Sequence, residues 1–341
     1  MKRRGCPQWR HQRPQRHQRQ RGVAVITALL LTTLAVTIVT SLFWQQQVEV
    51  RSMENQRLHL QTKWILRGAL DWSRLILSQD LNDHPNQTTL DGVWATPLAE
   101  TRLDDYVERE RVEGESFDAT LSGQIVDAQA RYNLANLATN KKINPDQVTV
   151  FGRLLSNLKL NPALAQAAAE AIALTQSAAS PLSPLIAVAP AAPVSLSSAP
   201  MAFVQVDDLL SVPGFTPQAV ESLRDFVVLL PPSATPGSSS DITAVNVNTA
   251  SAELLSALVA DYSLSAANAL TLSRKQAYFK DGPDFVLRLN GKLPLNVSIA
   301  TKSDNFLVNS RIRLERAELD AQALVRRSGA MQTTVMSIRE N

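Results

Sequence analysis

The chain has 341 residues, and the first 22 hold eight of its 34 Lys and Arg but none of its 31 Asp and Glu. The remainder, with 26 basic against 31 acidic residues, is net acidic, which argues against a nucleic-acid partner although the whole chain is basic. Cys6 is the only cysteine, and past residue 22 only His59 and His84 remain, with no G-x-S-x-G and no P-loop; this excludes a disulfide framework and the common metal and nucleophile constellations of enzymes.

Residues 23–44, VAVITALLLTTLAVTIVTSLFW, carry no charge and are long enough to cross a bilayer core of about 30 Å. The basic residues ahead of them predict, by the positive-inside rule, a cytoplasmic N-terminus, one span and an exported remainder. The run is too long for a secretory signal and ends in Leu42, Phe43 and Trp44 instead of small residues. A plain anchor and a leader cut at the cytoplasmic edge both stay open: Gly22, directly before Val23, would admit a protease to the backbone, but a glycine beside a span is also commonplace.

Helical spacing continues through Val50, Met53, Leu60, Trp64, Trp72, Leu75 and Ile76 to Leu81, with no proline from Val23 to His84. One helix over 23–81 would be about 88 Å long. Its first half is apolar all round and its second half has one apolar stripe, suiting a stalk over 45–82 that packs on a small sheet. Met53, Leu60, Trp64, Trp72 and Ile76 offer more apolar surface than such a sheet covers, which marks a candidate partner surface.

Residues 90–97 read as turn. Tyr106 to Val112 and Thr120 to Val126 alternate apolar and polar side chains around Gly114, a hairpin pattern, and Phe306 to Leu314, Leu319 to Val325 and Thr333 to Ile338 alternate likewise. Strands at both ends imply one sheet, from 83–140 and 303–341, interrupted by an insertion over 141–302. Within it Asn144-Pro145, Asn161-Pro162 and Thr216-Pro217 each open a helical pattern, the third running through Val220, Leu223, Phe226 and Leu230. Residues 177–200 and 231–240, rich in Ala, Pro and Ser, read as loops.

The segment 127–137, DAQARYNLANL, resembles the D-x-Q-x-R-[FY]-N-L-x-N-L motif of the general secretion pathway protein K family, the large minor pseudopilin of type II secretion systems. The matching positions are Asp127, Gln129, Arg131, Tyr132, Asn133, Leu134, Asn136 and Leu137. Gly68-Ala69 with Trp72, Trp94-Ala95, and Asn246, Asn248, Thr249 and Ala250 of VNVNTA add to the likeness. Both motifs are assigned structural roles: Asn248 or Thr249 capping the helix that contains Glu253, and Asn133 and Asn136 tying down turn amides. No catalytic residue is assigned.

The resemblance implies an α+β fold, a pilin-like long N-terminal helix packed on a small antiparallel sheet, with a large all-α domain inserted into that sheet. It also implies cleavage by a prepilin peptidase after Gly22, methylation of Val23, an inner-membrane anchor with a periplasmic bulk, and a tip position in the pseudopilus beside two smaller minor pseudopilins, I and J. Most pilins carry glutamate at the fifth position after the cut; Thr27 stands there, as the K family's lack of that glutamate implies. Many family members have an acidic segment that looks like a calcium site, but no acid occurs between Glu170 and Asp207, so calcium enters only through the resemblance and no cofactor is evident. Asp207, Asp208 and Asp241 are assigned to helix capping. The rival reading is a membrane-anchored DNA receptor of the competence type, resting on residues 210–216, LSVPGFT, which resemble a helix-hairpin-helix turn.

Overall fold

The computed structural model describes residues 21–105, 118–176, 201–231, 242–329 and 332–340. Two compact units divide the chain at Leu60. Helix α1, Arg21–Asp83, begins in the first and ends in the second.

In the first unit α1 has the length and apolar character to cross a membrane. Its large side chains, from Val25 to Trp44, are exposed. The five threonines of the uncharged run do not interrupt that character, because each hydroxyl is turned back on the helix: Thr27, Thr32, Thr33, Thr37 and Thr40 donate to carbonyls three or four residues earlier at 2.7–3.0 Å. A medium without water requires such internal satisfaction.

In the second unit the later part of α1 lies on one face of a five-stranded antiparallel sheet. We number its strands β1 (Leu98–Arg102), β2 (Ala119–Asp127), β3 (Asn305–Leu314), β4 (Ala317–Arg327) and β5 (Thr333–Glu340), and they pair in the order β1-β2-β3-β4-β5. Leu66, Ala69, Leu70 and Leu77 recur at three- and four-residue spacing and bury against Trp94, Leu121, Phe306, Val308, Ile312, Leu319, Ala321, Ala323 and Val325. Trp94 meets Phe306 edge-on at 5.4 Å between ring centres. The opposite face carries cross-strand charges, Arg311 with Asp320 and Arg313 with Glu100 and Glu318. The partner of β2 on its outer side is β1, with a bulge between Leu98 and Thr101; the stretch from Tyr106 to Val112, whose alternation predicts a strand, lies outside the described residues.

The helical insert has a core of its own. Helices α2 (Pro145–Asn157), α3 (Leu164–Thr175), α4 (Pro217–Leu223), α5 (Ala252–Leu258), α6 (Leu264–Gln276) and α7 (Gly282–Leu287) surround Phe151, Leu154, Leu155, Leu255, Phe279 and Phe285. Asn144 caps α2 through the amides of Asp146 and Gln147, and Thr216 caps α4 through Ala219. Three local expectations change. Helix α4 stops at Leu223, because Val227 and Val228 leave it to pair in parallel with Tyr132 and Asn133, so Phe226 and Leu230 are not on its face. Helix α5 is capped by Ser251, whose hydroxyl accepts from Leu254, and neither Asn248 nor Thr249 caps it. The insert also begins before residue 141: Tyr132 stacks on Phe151 at 5.6 Å, and Leu134 and Leu137 bury in the insert's core, so strand β2 hands over at Asp127. The expected loops over 177–200 and 231–240 lie outside the described residues, save Pro231.

Candidate functional site

Alternation along β2 places Ala119, Leu121, Gly123, Ile125 and then Asp127 on one face of the sheet, so the strand ends by driving a carboxylate inward. Asp127 is 2% exposed. One oxygen accepts from the Gln129 amide at 2.8 Å; the other accepts from Asn246 Nδ2 at 2.9 Å and from the hydroxyls of Thr249 and Ser303 at 2.6 Å each. Burial raises its pKa above the ordinary carboxylate value, against the lowering effect of these four donors.

The other motif residues tie distant segments together. The Gln129 side chain accepts from the amides of Asp304 and Asn305 and donates to the Ala244 carbonyl. Asn133 accepts from Ala135 and Leu230 and donates to the Thr243 hydroxyl, and Asn136 exchanges two 2.9 Å bonds with the Thr243 backbone. Asn248 pairs in the same two-way manner with the backbone of Phe279. Arg131 donates to the Arg224 carbonyl at 2.9 Å, and burial, set against the nearby Asp225 charge, lowers its pKa. Tyr132, Leu134, Leu137 and Ala250 are buried packing residues. Each Asn holds backbone groups that no ladder or helix satisfies, which a buried loop crossing requires.

A second charged centre lies outside both motifs. Arg327 is 1% exposed and donates to Asp80 Oδ2 at 2.9 Å, the Leu77 carbonyl at 3.0 Å, and the Thr88 hydroxyl and Ser303 carbonyl at 2.9 Å. Its guanidinium also lies 4.8 Å from the centre of the Phe306 ring. The sequence does carry a signal for it, since Leu319, Ala321, Ala323, Val325 and Arg327 share one strand face and only the last is polar. Arg274 is similar: buried on α6, it donates to the carbonyls of Val247 and Ala250, and burial lowers its pKa to about 10.

On α1, Met53, Leu60, Trp64 and Trp72 are exposed, while Ile76 is half-buried against the sheet core. Gly22 and Val23 lie at the start of α1. Gly214, in the hairpin-like turn, has φ +98°, and a Cβ there would come 2.7 Å from a Leu164 methyl. That turn packs against α3, and Arg224, the basic residue near it, is held by Asp207 and Glu221. Asp208 accepts from the amides of Val204 and Gln205, a helix-capping task, whereas Asp207 serves Arg224 and caps nothing shown; Asp241 lies outside the described residues. Among the described residues no three acidic, His or Cys side chains converge as metal ligands, so they do not fit the calcium site that the resemblance implies.

Two family models, both described as type II secretion system protein K, match residues 130–232 and 245–303, nearly the whole of the insert. Both stretches are thus similar to type II secretion system protein K, in line with the resemblance carried by the two motifs. Curated relatives named type II secretion system protein K include one from Pectobacterium carotovorum, 27% identical over 91% of this chain and 94% of its own length. Another, from Aeromonas hydrophila, is 26% identical over 77% of this chain and 78% of its own. The Pseudomonas aeruginosa relative is 33% identical, over 43% of this chain, and the match spans 42% of that relative's length. A crystal structure of the GspK-GspI-GspJ complex from the type 2 secretion system of enterotoxigenic Escherichia coli shares the fold, with TM-score 0.56 and 18% identity over 85% of this chain and 99% of that one. The K-family match and this likeness together bear out the α+β reading.

Proposed function

We propose that this chain is a minor pseudopilin of a type II secretion system, anchored in the inner membrane with its bulk in the periplasm, and that it occupies the tip of the pseudopilus with no chemistry of its own. The observation that carries the reading is a long N-terminal helix, uncharged over 23–44, whose later part packs on a sheet whose β2 and β3 are separated by a helical insert, matched by protein K relatives along most of the chain. The insert, larger than the sheet, would block a further subunit above while leaving α1 free to pack with helices below. The exposed Met53, Leu60, Trp64 and Trp72 suit that packing, with minor pseudopilins I and J as partners; the structural relative, crystallised as a GspK-GspI-GspJ complex, supports this choice. Nucleic acid is not a proposed partner: the hairpin-like turn sits against Leu164 and Arg224 is paired, which disfavours the DNA-receptor reading.

Co-expression with a prepilin peptidase should yield a mature protein starting at Val23, and Gly22→Leu should prevent the cut. An unshortened wild-type chain would sink the reading. In a pull-down with I and J, Met53→Asp with Leu60→Asp should abolish the complex by placing carboxylates at a helix interface. A folded double variant that still binds both would remove α1 as the docking surface.

A further inference from the structure

The two charged centres are one network. Ser303 joins them: its hydroxyl donates to Asp127, and its carbonyl accepts from Arg327. Thr88 closes a second path, its hydroxyl accepting from Arg327 and from the Ser303 amide and its carbonyl accepting from Asn246. Helix α1 enters through Asp80 and Leu77, the sheet through Asp127 and Arg327, and the insert through Asn246 and Thr249. These residues are all buried.

The apolar cores on either side do not merge. Among the described residues, sheet and α1 form one cluster and the insert's helices another, and the buried apolar contact across the joint is the small group Ala128, Val228, Leu230, Leu307 and Leu324. A patch of that size resists separation but tolerates sliding, since apolar contact is not directional. Hydrogen bonds to a buried carboxylate have fixed lengths and angles and are costly to leave unmade.

We propose that the Asp127–Ser303–Arg327 network is an orientational lock that sets the angle of the insert on the sheet and on α1, and that this angle, more than fold stability, is what Asp127, Asn246, Thr249 and Ser303 supply. The inference rests on the tip reading for its use, because an insert that covers the end of a filament must be held in one orientation relative to the helix that enters the filament. The lock itself is a property of the isolated chain.

The test is a distance measured between spin labels at Lys275→Cys on α6 and Thr334→Cys on β5, in the full-length chain in detergent with Cys6→Ser. The unaltered network should give one narrow distance. Asp127→Ala, and separately Thr249→Val with Ser303→Ala, should replace the narrow peak with a broad distribution in protein that circular dichroism shows to be folded, whereas Leu307→Ala, which lowers the urea midpoint at the same joint but keeps the network, should leave the peak narrow. Restoring a hydroxyl, as Thr249→Ser with native Ser303, should restore the narrow peak. If Asp127→Ala fails to fold, the hydroxyl pair decides. A peak that stays narrow overturns the lock, and so does equal broadening in Leu307→Ala, which would make the network one stabilising contact among others. Secretion is not read in this experiment, so failure of the tip reading leaves its result intact.

Discussion

The sheet meets α1 and the insert by different physics. Against α1 it presents Phe306, Val308, Ile312, Leu319, Ala321, Ala323 and Val325 to a leucine-rich stripe. Where the insert and the last turns of α1 meet it, it presents instead Asp127 and, through Ser303, Arg327, whose carboxylate partner Asp80 is on α1. The first contact gains free energy in proportion to area and forgives substitution by similar volumes; the second gains little net but is specific, because each unmade bond strands a desolvated group. The difference teaches where mutation should cost stability smoothly and where it should cost it abruptly.

The abrupt side predicts the largest effect. Arg327→Met should cost about 3–5 kcal/mol in urea unfolding, since it takes the buried partner from the Asp80 carboxylate and leaves it only the exposed His84, 3.6 Å away. A loss under about 1 kcal/mol would mean water reaches Asp80, and the polar joint would no longer differ from a surface ion pair. On the apolar side, Leu77→Ala removes a side chain with no exposure and should cost about 2–4 kcal/mol, and Leu77→Met should recover most of it. A methionine as damaging as alanine would show that shape matters on this side too.

Within the insert, Asn248→Ala should cost about 1–3 kcal/mol, because the Phe279 amide and carbonyl both lose their partner. Hydrogen exchange should show the loss first at the Phe279 amide. Acidity offers a smaller, signed test. The folded-state pKa of Asp127 is raised, so its proton is held more tightly in the folded chain; that stabilisation is complete below the unfolded value near 3.8 and lost as pH rises through the folded one. Urea midpoints of the wild type, taken relative to Asp127→Asn, should therefore rise as pH falls toward 4. A fall would mean that the four donors outweigh burial. The smallest effect is expected from calcium: with Asp207 and Asp208 already engaged, adding calcium or a chelator should leave the melting temperature unchanged, and a clear upward shift with calcium would reveal a site among residues outside those described.

Local rules read part of this molecule correctly for a physical reason. The caps of α2 and α4 are Asn144 and Thr216 because a side-chain oxygen reaches amides two or three residues on, and nothing remote alters that geometry. Strands β3 and β4 show in their alternation because one face is buried on α1 and the other, apart from Leu307 and Leu324, is more open to water. Apolar spacing makes helix α4 too long because it cannot tell a helix that continues from a strand that pairs with Tyr132 and Asn133, almost a hundred residues earlier. The inward position of Arg327 is legible in the sequence but its role is not, since alternation shows which way a side chain faces and not what waits there.

The sequence by itself determined the uncharged run and the basic stretch before it, the continuation of α1 to the sheet, the strands with clean alternation, and the two Asn-rich motifs that mark the family. These depend on composition and on neighbours within a few residues. Only the tertiary structure decided that Ser251 caps α5, that Asn248 is spent on Phe279, and that Asp127, Ser303 and Arg327 share one network. An Asn, Ser or Arg side chain bonds whatever donor or acceptor the fold delivers, and here the delivering segments lie up to some 250 residues away. Periodicity carries no record of that pairing; it exists only once α1, the sheet and the insert have closed around the joint.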